Sequence, residues 1–96
     1  MKKYVIERSI PGVGSLNRDA LHAASANSNN ILDELGPDIQ WVQSFVTRDK
    51  IYCVYFAANE HLIREHAQRA GLPADSVSPV FALIDPTMGS VYAGAI

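Results

Sequence analysis

Residues Ile39 to Gly71 read IQWVQSFVTRDKIYCVYFAANEHLIREHAQRAG, and the parsing of this stretch decides the fold. Two β-forming runs flank Arg48-Asp49-Lys50, a hairpin signal, and a helix follows directly. In the first run, Ile39 to Thr47, strict alternation puts Ile39, Trp41 and Phe45 on one face and Val42 and Val46 on the other. In the second, Lys50 to Ala57, Ile51, Cys53 and Tyr55 oppose Tyr52, Val54 and Phe56. Neither side of that strand is polar, so both of its faces are expected to be covered. Asn59 then caps a helix with Glu60 in its first turn, and Gly71-Leu72-Pro73 stops it. Its apolar stripe is Leu62, Ile63, His66, Ala67 and Ala70, with His61 and Arg64 facing outward.

Before this stretch lies a strand–helix unit. Lys3 to Ser9 is a short strand broken by Ile10-Pro11-Gly12; Tyr4, Ile6 and Arg8 point one way, Val5 and Glu7 the other. Pro11-Gly12-Val13-Gly14 is a connector whose glycines suit positive φ. It lacks the later glycine and the Lys-Ser/Thr of a phosphate-binding loop. A helix from about Asn17 to Leu35 follows, capped by Ser15 or Asn17 and ended by Gly36-Pro37. At 100° per residue, Leu16, Ala20, Ala24, Ile31 and Leu35 share a stripe flanked by Leu21 and Leu32. Asn27 falls within it and would need a buried partner, whereas His22 lies opposite. After the second helix, Val77 to Ile84 reads as a fourth strand in which Pro79 argues for an edge. Asp85-Pro86 ends it, and the small apolar tail Val91 to Ile96 either pairs as an extra strand or frays.

The order β-α-β-β-α-β implies an α+β, ferredoxin-like domain: two helices on one face of a four-stranded antiparallel sheet, with the first and third strands central. The 96 residues are expected to form one domain, with a core of about residues 3–86 and a tail at 87–96. The helices leave one sheet face bare, although the third strand is apolar there too. A second copy laid sheet against sheet, as in dimeric α/β barrels, is the expected remedy, with a cavity between the sheets as the ligand site. A net charge of −2 gives no electrostatic reason to expect nucleic acid or an anionic membrane as partner. One cysteine, no signal-like start and no apolar run near the ~20 residues that span a bilayer point to a cytoplasmic protein.

His66, central in its stripe, is the sharpest candidate for chemistry, as a neutral core histidine, a metal ligand or a general base. Glu7, on an expected central strand, is the second and needs a partner or water. Facing the helices, Glu7 would reach His66; facing the bare side, it would line the cavity and could not. The latter is preferred. Arg8, Tyr52 and Tyr55 complete the candidate ligand-binding set, with the plainer readings of a strand-end Arg8 paired with a surface carboxylate and of tyrosines filling the core. His61 and His66, five apart and about 140° around the helix, cannot chelate one ion together. Cys53 has the profile of a packed, inert thiol.

Several blocks carry a family resemblance: Ser44-Phe45-Val46-Thr47, Asp49 through Tyr55, Ile63-Arg64-Glu65-His66-Ala67, and Ala70 through Asp75, together with Glu7-Arg8 and Pro11-Gly12. The chain from Tyr4 to Pro86 resembles a small bacterial family of ferredoxin-like domains of unknown function described as nickel-binding or nickel-responsive. The resemblance implies a dimer and nickel as a ligand, without a complete ligand set here. Family members usually carry an acidic residue where this chain has Phe56 and Asn59. Two functions are therefore expected. One is a small cytoplasmic binding protein taking nickel or a small ligand at the dimer cavity, with His66→Ala weakening nickel uptake. The alternative is a cofactor-free dimeric α/β-barrel enzyme, an isomerase, cyclase or monooxygenase, with Glu7 or His66 as base toward a small hydrophobic substrate.

Overall fold

A computed structural model describes residues 1–89 of the chain. The elements are β1 (Lys2–Ser9), α1 (Arg18–Leu35), β2 (Ile39–Val46), β3 (Lys50–Ala57), α2 (Glu60–Ala70) and β4 (Ser76–Pro79), with 3-10 turns at Val13–Ser15 and Pro86–Gly89. The strands form one antiparallel sheet in the order β2-β3-β1-β4, so β1 and β3 are central and Pro79 lies on an edge strand. Both helices pack on one face, giving the ferredoxin-like arrangement expected from the element order. The apolar tail 91–96 lies outside the described residues.

Local signals set the helix ends. The Asn17 side chain accepts from Ala20 N–H at 2.9 Å, and that of Asn59 accepts from Leu62 N–H at 3.0 Å. Each satisfies a backbone donor that the first helical turn leaves unpaired. Gly71 adopts φ 70° and closes α2, with Leu72 N–H returning to the Ala67 carbonyl at 2.9 Å. In the β1–α1 connector, Gly12 takes φ 77°, where its N–H meets Asp49 Oδ1 at 2.9 Å. Gly14 is required for a different reason: a Cβ there would come within 2.7 Å of the Thr47 carbonyl oxygen at the β2–β3 turn. The connector is thereby pinned against the hairpin.

The core is built from Tyr4 and Ile6 of β1, Cys53, Tyr55 and Ala57 of β3, Ile39 of β2, Leu32 of α1 and Ile63 of α2. Three expectations about which residues join it are corrected. First, a β-bulge between Trp41 and Gln43 shifts the register, so Val42 is the extra residue. Beyond it, Ser44 pairs with Cys53 and Val46 with Ile51 on the helix side, while Phe45 pairs with Tyr52 on the bare side. Second, α1 is rotated relative to its apolar stripe. Ala24 and Asn27 are exposed and Ser28 is buried beside Ile31 and Leu32. Asn27 therefore needs no partner. Two serines can face inward because each has one: Ser25 Oγ donates to the Leu21 carbonyl at 2.8 Å, and Ser28 bonds His66. Third, β4 ends at Pro79 instead of reaching Ile84. Val80 N–H still donates to Lys3 O, one residue beyond the last paired position, Pro79. Residues 81–84 leave the sheet, with Phe81 94% exposed.

Candidate functional site

The expected site residues divide between the two faces of the sheet. Alternation along β1 sends Tyr4, Ile6 and Arg8 to the helix side and Lys3, Val5 and Glu7 to the bare side. Glu7 is half-buried there beside Tyr52, its register partner, and accepts from Lys50 Nζ at 3.1 Å. That hydrogen bond and the carboxylate's charge raise the Lys50 pKa above its ordinary value. Glu7 is thus separated by the sheet from His66. Val5, Val54 and Phe56 are half-buried on this face, Phe45 is 55% exposed, and Lys3 stands over the Phe56 ring at 5.2 Å. Among the described residues no element covers them.

Arg8, Tyr55 and His66 meet on the other side. Arg8 is 1% exposed, and no carboxylate pairs with it among the described residues; the expectation of a surface ion pair is overturned. The reason is parity: Arg8 stands two and four residues after Ile6 and Tyr4 on a central strand, so its stem enters the core with theirs. Nη1 donates to the Pro73 carbonyl at 2.7 Å and Nε lies 3.4 Å from Cys53 Sγ, an acceptor of modest strength. Nη2 is buried with no hydrogen-bond partner. A buried guanidinium without a counter-charge is costly, which marks this residue out.

His66 is fully buried on α2. Its Nε2 shares a 2.9 Å hydrogen bond with Ser28 Oγ of α1, its ring lies 5.5 Å from that of Tyr55, and its Nδ1 has no partner. Burial lowers its pKa below the ordinary 6.5, and the Arg8 charge lowers it further, so the imidazole is held neutral. Burial also pushes the Tyr55 phenol up, against the opposing influence of Arg8. Linkage gives the first expected result. With its folded-state pKa depressed, His66 contributes stability that is complete above about pH 6.5 and is lost as the pH falls through the lower folded value, because the unfolded chain binds the extra proton. Melting temperatures measured between pH 7.5 and 5.5 should fall on the acid side, and the fall should be shallower in His66→Gln.

A cavity of about 100 Å³ adjoins this cluster between α1 and the β2 side of the sheet. Arg8, Cys53 and Tyr55 form part of its wall, joined by Trp41, Ser44 and Ser28. Trp41 Nε1 donates to Ser44 Oγ at 2.9 Å, a contact made possible by the bulge. Exposed Ala24 and Val46, also on the wall, mark where it opens to solvent. Ser28 was missed in the sequence because a serine carries no weight in a hydrophobic stripe. Its spacing of seven after Leu21 and three before Ile31 was the available signal.

The side chains gathered here do not suit a metal ion. Among the described residues no group of three or more His, Cys, Asp and Glu side chains converges. His22 and His61 are exposed, and a cation at His66 would meet the Arg8 guanidinium. None of the described helices is long and apolar enough to cross a membrane.

Comparison with known proteins agrees with this architecture. The model of the family described as "Nickel responsive protein SCO4226-like" matches residues 4–80. The crystal structure of SCO4226 from Streptomyces coelicolor A3(2) superposes with a TM-score of 0.71 at 19% sequence identity, covering 85% of this chain and 99% of that one. At that identity the likeness speaks for the fold. No curated protein matches the chain.

Proposed function

We propose that this chain, which belongs to the SCO4226-like family of nickel-responsive proteins, is a binding protein that works as a homodimer with its two sheets face to face. The observation that carries the reading is the bare sheet face, where Val5, Phe45, Tyr52, Val54 and Phe56 form an apolar surface on two central strands and one edge. Each such side chain gains roughly 1.5–3 kcal/mol on burial, and a two-fold contact buries every one of them twice. The interface should exceed about 1,200 Å² in total. Glu7 and Tyr52 would then line a space between the sheets, and this is the ligand site of the dimer.

Nickel enters by the family's name, and the described residues of one subunit bring together no group of three donors for it. Any nickel held must draw donors from both copies, with Glu7 the acidic residue that the described strands present on the shared face. Native mass spectrometry with and without nickel, paired with calorimetry, tests this. The expected result is a dimer whose nickel isotherm is unchanged in His66→Ala. A stoichiometric site on the monomer that disappears with His66 would overturn it. In the enzyme reading the base would be Glu7 alone, since His66 faces the helices and is separated by the sheet from the space between the two copies.

A further inference from the structure

We propose that the cavity beside Arg8 is a binding site for a small monocarboxylate with an apolar body. This inference is independent of the dimer and of the space between its sheets. Three observations converge on it. The first is charge: Arg8 is 1% exposed, has no acidic partner among the described residues, and leaves Nη2 without a hydrogen bond. Its two occupied nitrogens face neutral acceptors, the Pro73 carbonyl and the Cys53 sulfur. The cation is therefore uncompensated, and a carboxylate is the natural planar complement of a guanidinium.

The second is the character of the wall. Beside Arg8, the cavity is lined by Leu21, Trp41, Val46, Ile51 and Leu72, with serine hydroxyls, the Tyr55 phenol and the Cys53 thiol among its polar groups. One positive charge among aliphatic and aromatic side chains balances one negative charge. A phosphate dianion would find a single cation and few donors, and would stay under-compensated. Nη2 has almost no accessible surface, so a carboxylate reaches it with a small shift of the wall about Arg8, a shift from which an uncharged apolar guest gains nothing.

The third is size. A cavity of about 100 Å³ is smaller than the ~150 Å³ that accommodates benzene, which sets the guest at roughly three to four carbons. Entry is from the gap between α1 and β2, where Ala24 and Val46 are exposed. The carboxylate would sit at the Arg8 end and the hydrocarbon against Trp41 and Leu21.

The probe is sodium butyrate, compared with sodium chloride at equal ionic strength and with 1-butanol, using calorimetry and thermal melts on the full chain. Butyrate should bind saturably and raise the melting temperature beyond the chloride control. Butanol should bind at least tenfold more weakly. Arg8→Met should lose the butyrate response while melting at or above the parent temperature, since it removes a buried charge that nothing neutralises. Ala24→Leu, which narrows the mouth and leaves Arg8 in place, should weaken butyrate at least tenfold, so the inference stays open to test even if Arg8→Met does not fold. Butyrate acting no better than chloride, butanol matching butyrate, or Ala24→Leu binding with parental affinity would each overturn it.

Discussion

A Val54→Glu variant should sediment as a folded monomer under conditions where the parent chain is a dimer. Val54 lies on β3, a central strand, with Val5 of β1 as its register partner and Gln43 of β2 on the other side. In the isolated subunit it is half-buried on the bare face, so a glutamate there reaches water and the fold survives. In a face-to-face dimer the same position is desolvated, and two-fold symmetry brings two carboxylates into an apolar contact, a cost that Lys3 beside Phe56 offsets only in part. A penalty of about 4 kcal/mol corresponds to a loosening of roughly a thousandfold in the dimer dissociation constant. Far-UV circular dichroism should be unchanged. A variant that stays dimeric would place the interface elsewhere.

The second large effect is on stability. Ile6→Ala should cost about 2–5 kcal/mol, because Ile6 is fully buried on β1 and packs where both helices meet the sheet. For a chain of this size that is a fall in melting temperature of about 10–30 °C. Chemical denaturation at one fixed protein concentration is the suitable measurement, since the stability of a dimer depends on concentration. Ile6 also stands two residues before Arg8 on the same face, so the loss should loosen the strand that presents the guanidinium. A cost below about 1 kcal/mol would mean that the core does not close over β1 as described.

The elements of this fold were legible because their ends are written locally. Asn17, Asn59, Gly36 and Gly71 each stand where a helix needs an acceptor or a terminating glycine, and those requirements involve only neighbours in sequence. The side of the sheet that a residue occupies was legible on β1 and β3, where alternation is unbroken. It was lost on β2, because the bulge at Trp41–Gln43 inserts a residue without any glycine to announce it. The face of α1 was misjudged for a related reason: Ser25 and Ser28 enter the interior with their hydroxyls bonded, and a stripe drawn from apolar residues passes over them.

The candidate site was half legible. His66 stood out as a polar residue within an apolar stripe, and it is fully buried. Glu7 on the bare face followed from the parity of β1. The same parity put Arg8 among Tyr4 and Ile6, yet its position near the strand end suggested a solvated side chain. What buries it is the chain after α2, whose Pro73 carbonyl reaches Nη1 across 65 residues of sequence. No local pattern encodes that contact.

Sedimentation equilibrium of the unmodified chain across a wide concentration range tests the central claim most directly. The expected result is a particle of twice the 10.5 kDa of one chain, dissociating at low concentration if at all. A single species of 10.5 kDa persisting at high concentration would contradict it, leaving the apolar face of β1, β2 and β3 in water.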